Sequence, residues 1–205
     1  LFTIQESIAQ QDLQLNGQQI YSYGINKKSD IQGSVYLNEN FVLGKVDNSE
    51  KNFLLRFNSY ENRFENKADD GTVIKLDKVY NKISLTNNVT YQLINYRSLE
   101  GNIEKEYLEQ IQNNSFLYKT VKTNFIDAKE PVNGYDTAKP AKYVLAKSSY
   151  VVKYKESYYE IPEKTKDLEK LFPEKSAEIK AFVKQNKLKL TKEEDVIKFA
   201  NFINN

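Results

Sequence analysis

Short polar turns divide most of this chain into segments too brief for helices, and the residues between the turns alternate. Gly33-Ser-Val-Tyr-Leu-Asn38 alternates, Glu39-Asn40 turns, and Phe41-Val-Leu-Gly-Lys-Val46 returns, which predicts a hairpin. Phe53–Asn58 is the next strand. Ser59–Asn62 turns it into Arg63–Lys67, and Asp69-Asp70-Gly71 leads into Thr72–Leu76. Val79–Leu85 and Val89–Asn95 pair around Thr86-Asn87-Asn88. Connections this short join antiparallel neighbours, because a parallel crossover needs about a dozen residues or more. The pattern therefore predicts an antiparallel β-meander, rolled or curved, rather than a parallel sheet.

The middle of the chain is less regular. Leu99–Asn102 reads as a turn, and Ile103–Ile111 as either a short helix or a strand. Ser115–Lys122 alternates well enough for a strand. Asp127–Ala141 holds Pro131, Gly134 and Pro140 and reads as a long loop, a kind uncommon outside functional segments. Tyr143–Tyr154 and Ser157–Ile161 predict a last hairpin around Lys155-Glu156. At Pro162 the period changes. Lys166–Phe172 is a short helical piece, and Pro173 stands where a helix tolerates proline. Leu171, Phe172, Ala177, Ile179, Phe182 and Val183 recur at helical spacing. Thr191-Lys-Glu-Glu194 predicts a capping box ahead of a last helix whose apolar face is Val196, Ile197, Phe199, Ala200 and Ile203. The fold class is thus α+β: an antiparallel meander over 11–162 followed by a C-terminal helical tail over 163–205. A tail of that length cannot bury its own faces, so it packs on the body or on a partner.

Composition narrows the function classes. The 205 residues are 40% hydrophobic, with 15 Tyr and 11 Phe, which supplies a core and argues against disorder. The sequence contains no Cys, His, Met or Trp. Without Cys there is no disulfide, thiol nucleophile or thiolate metal site; without His there is no Ser-His-Asp triad and no imidazole ligand. No metal-ligand spacing, cofactor-binding pattern or catalytic constellation is read. The formal net charge is +2, and basic residues mix with acids throughout. Nucleic-acid binding, which needs a basic stripe rich in Arg, is not expected. No run of residues is long and apolar enough for a membrane-spanning helix. Residues 1–10 read as the remnant of a signal peptide, with Ser7 and Ala9 as the small residues before a cut at Gln10. The expectation is an exported protein.

Several of these segments resemble a group of poorly characterised secreted proteins of Bacteroidota, flavobacteria especially. The resemblance is carried by Gly33-Ser-Val-Tyr-Leu-Asn-Glu-Asn-Phe-Val-Leu-Gly44 and Leu55-Arg-Phe-Asn-Ser-Tyr60. In the tail, Asp167-Leu-Glu-Lys-Leu-Phe-Pro-Glu-Lys-Ser176, Ile179–Leu188 and Glu194-Asp195-Val-Ile197 carry it further. It implies residence in the periplasm or at the outer membrane, with the cell surface as a further location, and brings no catalytic residue with it. Asp136-Thr137-Ala138 matches the acceptor such bacteria use for O-glycosylation, which makes Thr137 a candidate modification site.

The remaining candidates are weighed by chemistry. Asp69-Asp70-Gly71 could open a calcium loop, but the further oxygen ligands are missing and a hairpin turn is favoured. Glu104, Glu106 and Glu109 could supply acid–base carboxylates, though their spacing suits a solvated face better. Ser148-Ser149 near Lys147 and Lys153 invites a Ser–Lys pair, with an ordinary strand as the simpler reading. Tyr143, Tyr150, Tyr154, Tyr158 and Tyr159 crowd neighbouring strands, and Phe182 and Phe199 mark the tail's apolar face; these are the candidate interaction surface. The function expected is that of a non-enzymatic envelope protein, a binding or accessory subunit of an outer-membrane protein complex. A periplasmic carrier of small molecules or lipids is the alternative, with a carboxylate-based hydrolase behind it.

Overall fold

The computed structural model describes residues 15–20, 31–131 and 137–205. The expected signal-peptide remnant, residues 1–10, lies outside them. In chain order the elements are β1 (Gly17–Ile20), β2 (Val42–Val46), β3 (Phe53–Asn58), β4 (Arg63–Lys67), β5 (Val73–Leu76), β6 (Lys82–Leu85), β7 (Thr90–Arg97), β8 (Ile103–Gln110), β9 (Leu117–Lys119), β10 (Thr123–Ile126), β11 (Lys142–Leu145), β12 (Tyr150–Tyr154) and β13 (Ser157–Glu160). The helices α1 (Thr165–Leu171), α2 (Ser176–Gln185) and α3 (Glu193–Asn204) follow, with a 3-10 turn at Pro173–Lys175. The protein is α+β, dominated by strands, with its helices at the C-terminal end. No helix of the described residues is long and apolar enough to cross a membrane.

The strands form one large sheet in the order β1-β5-β4-β3-β2-β6-β7-β13-β12-β9-β8, with β7 also paired to β8, and β10 and β11 form a separate two-stranded ribbon. Short turns drive the pairing. The β4–β5 turn runs through Gly71 at φ +85, and the Asp70 carboxylate accepts the Thr72 N–H, so Asp69-Asp70-Gly71 is a turn. The β7–β8 hairpin turns through Gly101 at φ +89. Its second strand resolves the ambiguity over Ile103–Ile111 in favour of extended chain.

The large sheet closes on itself at one end. Successive pairings β7–β8, β8–β9, β9–β12, β12–β13 and β13–β7 make a ring, antiparallel throughout except at the last seam, where Tyr159 pairs with Arg97 in parallel. Register places Ile94, Tyr96, Leu108, Tyr118, Val151 and Tyr158 on its inner face, where they form one cluster. A second cluster fills the roll made by the earlier strands, around Leu55, Phe57, Phe64, Ile83, Tyr91 and Tyr107. Phe64 lies edge-on to both Tyr91 and Tyr107, with ring centroids 5.2 and 5.3 Å away. The third cluster joins the outer face of β12 and β13 to the helices: Val152 and Tyr154 meet Leu168, Phe172, Ile179, Val196, Phe199 and Ala200. The tail packs on the body.

Four details differ from the sequence reading. Gly33–Asn38 is not a strand paired with 41–46. It crosses β3 with one bridge, Tyr36 to Asn58, because Gly33 turns at φ +79 and Arg56 seats itself between the Tyr36 and Phe41 rings. The partner of β2 is β3 instead, through a turn at Asp47 with φ +49. Tyr143–Tyr154 is two strands, β11 and β12, in different sheets; Ser149 between them bonds Thr120 rather than continuing a ladder. The Thr191–Glu194 capping box does not form: the N-cap is Lys192, with no side-chain cap bond. Asp195 replaces it, accepting the Lys189 N–H at 3.0 Å and the Lys198 ammonium at 3.0 Å, and these partners hold its carboxyl below the usual range.

One side chain joins the roll to the ring. Asn62, in the β3–β4 turn at φ +50, accepts the Tyr107 N–H at 2.7 Å and donates to the Tyr107 carbonyl at 3.0 Å, all of it buried. Replacing Asn62 with Ala leaves both backbone groups of Tyr107 unpaired and is expected to cost about 2–4 kcal/mol in urea unfolding. Phe199→Ala is expected to cost about 3–5 kcal/mol. Thr191→Ala, which removes no cap bond, is expected to stay within about 0.5 kcal/mol of the parent; a loss above about 1 kcal/mol there would restore the capping box.

Candidate functional site

An open groove lies between the β3–β4 turn and the β10–β11 ribbon. It encloses about 790 Å³, with Ser59, Tyr60, Lys78, Glu106, Lys122, Phe125, Ile126 and Val144 among its lining. Three anchors fix the ribbon beside the body. The Ser59 and Thr123 hydroxyls share a buried hydrogen bond of 2.7 Å, and the Thr123 N–H donates to the Ser59 carbonyl at 3.0 Å. On the other edge, Gln32 pairs with Lys142 in parallel, giving its N–H to Ala141 and accepting that of Tyr143. Gly33 makes this approach possible, since a Cβ there would collide with the Tyr143 carbonyl.

One wall of the groove is aromatic. The Tyr143 ring stands edge-on to Tyr60 at 5.2 Å and tilted against Phe125 at 5.0 Å. The floor is charged: Lys122 pairs with Glu106 at 3.0 Å, and Glu106 also accepts the Tyr96 hydroxyl at 2.8 Å. Lys78 donates to the Lys105 carbonyl, and burial draws its ammonium below the usual Lys range while Glu106 opposes that shift. Above this floor the ribbon shows apolar side chains on both faces. Phe125 (37% exposed) belongs to one face, and Ile126 (40%) and Val144 (38%) to the other. Leu145, on the Phe125 face, is the most open at 56%. The groove thus combines rings, aliphatic surface and one compensated ion pair. Lys122 and Glu106 are engaged with each other, and Lys78 with a backbone carbonyl.

The structure separates the tyrosines that the sequence grouped. Tyr143 packs against Tyr60 and Phe125, whose rings line the groove. Tyr150, Tyr154 and Tyr159 share the outer face of β12 and β13 and pack under the tail, where Tyr154 and Tyr159 meet Phe172 edge-on. Tyr158 points to the inner face of the ring, against Tyr118 at 5.8 Å. Phe199 is fully buried, and Phe182 stacks on Phe202 at 4.0 Å. Most of these residues hold the tail to the sheet. Thr137 is exposed near the ribbon's tip, while its neighbour Asp136 lies outside the described residues. Glu104 and Glu106 share the inner face of the ring, and Glu109, on the opposite face, pairs with Lys119 at 2.9 Å. Lys147 pairs with Glu163 rather than a serine.

One further cluster bears on the reading. The segments Gly33–Gly44 and Leu55–Tyr60 meet in space: Arg56 lies 3.7 Å from the Tyr36 ring centre and 4.3 Å from that of Phe41, and bonds buried Glu65 at 2.6 Å. Tyr36 donates to the same carboxylate. This knot holds the loop onto β3. The groove itself was missed from sequence, because it depends on β10 and β11 pairing across the long loop 127–141. Short apolar stretches on both sides of that loop were the available signal. No family model, no curated protein and no solved structure matches the chain.

Burial raises phenol pKa values at Tyr36 and Tyr118 to about 12, and pushes Tyr91, Tyr96 and Tyr107 higher still. An unfolded phenol ionises near pH ~10, so the unfolded chain binds fewer protons above that pH. Stability is then full below pH ~10 and falls as pH rises through about 12. Phenolate absorbance and far-UV circular dichroism are expected to change together over that window. Phenols that all titrate near pH ~10 in an intact fold would contradict the burial described.

Proposed function

We propose that this chain is a non-enzymatic binding protein of the bacterial cell envelope, an accessory subunit of an outer-membrane protein assembly, and that its partner contacts the β10–β11 ribbon. The observation that carries the reading is the ribbon itself. It exposes Phe125, Ile126, Val144 and Leu145 together, and apolar side chains gathered on a projecting element mark interaction sites more often than scattered ones do. Aromatic anchors beside a groove are the residue types that concentrate binding energy at protein interfaces. Export rests on the character of residues 1–10 and on the resemblance to secreted Bacteroidota proteins. Within that reading Thr137, exposed near the ribbon tip, is the candidate O-glycosylation site.

The test is a pull-down of the tagged chain from the membrane fraction of its source cell in mild detergent, beside a Phe125→Ser/Leu145→Ser double variant. The wild type is expected to bring down an outer-membrane protein in stoichiometric amount, and the variant at least tenfold less, with an unchanged thermal midpoint. Recovery of the wild type alone in the soluble fraction overturns the subunit reading. Equal recovery by both proteins moves the contact away from the ribbon.

A further inference from the structure

A second pocket, remote from the ribbon, opens where β3 begins. It encloses about 390 Å³, and its apolar lining is Leu15, Leu43, Phe53, Leu54 and Ile74. Asn66 joins them, and it does not belong there by pattern. On β4 the residue sits in register between Leu55 on β3 and Ile74 on β5. The face it occupies otherwise carries Phe53, Leu55, Phe57, Phe64 and Leu76, all of them core residues. A strand with one buried face calls for an apolar residue at that position.

Asn66 is only 7% exposed, yet its Oδ1 has no hydrogen-bond partner among the described residues. Buried amides in folded proteins are nearly always bonded, and one that is not needs an explanation such as an unfilled ligand position. The amide can exchange its oxygen and nitrogen by a half turn about χ2, so a group that both donates and accepts would satisfy either orientation. A hydroxyl is such a group. The rim carries charge of both signs, with Lys51 over the Phe53 ring at 5.9 Å and Lys67 and Asp69 beside it, while the buried interior offers only the neutral Asn66 amide. The volume is at the small end for ligand pockets and suits a molecule of roughly ten heavy atoms.

We propose that this pocket binds a neutral small molecule with an apolar body and one hydroxyl, the body lying against Phe53, Leu54 and Ile74 and the hydroxyl meeting the Asn66 amide. The site is independent of the ribbon and does not rest on the partner reading. A hydroxyl that meets an otherwise unpaired amide is worth about tenfold in affinity over an isomer that cannot donate.

The probes are 1-octanol and 1-methoxyheptane, isomers that differ in whether the oxygen carries a proton. Each is titrated into the full chain labelled with nitrogen-15, and amide shifts are followed. The expected result is that 1-octanol shifts the Asn66 side-chain amide and the backbone amides of Phe53, Ala68 and Ile74. The ether should bind about tenfold more weakly. In Asn66→Leu the two isomers should bind alike. Absence of shifts at these residues up to the solubility of 1-octanol overturns the proposal, as does equal binding of the isomers by the wild type. Discrimination that survives in Asn66→Leu also overturns it. If that variant does not fold, the comparison of isomers on the wild type decides alone. Ribbon amides report separately, so failure here leaves the partner reading untouched.

Discussion

The fold turns on a side-chain amide acting as a strand. β8 is paired with β7 along its whole length, but β9 covers only its last residues, so the outer N–H and carbonyl of Tyr107 face away from any ladder. Asn62 fills both positions. An unpaired buried backbone group costs as much as a lost hydrogen bond, so a turn that brings two matched bonds gains a fixed position. Asn58 shapes the same turn by accepting the N–H groups of Tyr60 and Glu61. With the turn held, Ser59 lies next to Thr123 and Tyr60 next to Tyr143, and the groove takes its form. The groove is thus a consequence of how a sheet edge is satisfied.

Local chemistry made much of the architecture legible. β3 and β4 follow from alternation and from the Asn and Gly residues that accept positive φ at their ends. The helices follow from a change of period at Pro162 and from apolar residues three and four apart. The failures share a cause, since each depended on a partner distant in sequence. Gly33–Asn38 alternates like a strand, but the pull of Arg56 and Glu65 on Tyr36 draws it across β3. Thr191 and Glu194 have the spacing of a cap, yet Asp195 gains more by tying down the loop before the helix. The parallel seam between β7 and β13 joins residues far apart in the chain, and no local pattern announces it.

The groove was legible only in part. Tyr143 stood out as an aromatic on a strand next to a long loop, and it packs against Phe125, whose ring lines the groove. Its neighbours in sequence did not follow it, because alternation along β12 and β13 sends Tyr150, Tyr154 and Tyr159 to the face that the helices cover and Tyr158 to the other. Charge gave no guide, since Lys122 and Glu106 compensate each other and composition cannot reveal such pairing. Asn66 was invisible for a related reason. Arg63–Lys67 reads as a strand with Asn66 inside it, and only the register with Leu55 and Ile74 shows it turned inward.

The seam between β13 and β7 also sets a timetable. A chain made or threaded from its N-terminus presents β7 and β8 long before β12 and β13 arrive to close the ring. The roll around Phe64 can gather early, because its strands are neighbours in sequence. The inner face holding Ile94, Leu108 and Tyr118 must wait, with its apolar side chains uncovered, until residues near Val151 and Tyr158 reach it. Closures between segments this far apart are slow, and open strand edges are hazardous while they last. The emerging polypeptide therefore passes through a half-shielded stage whose length is fixed by topology, and the cell's holding factors would meet it there.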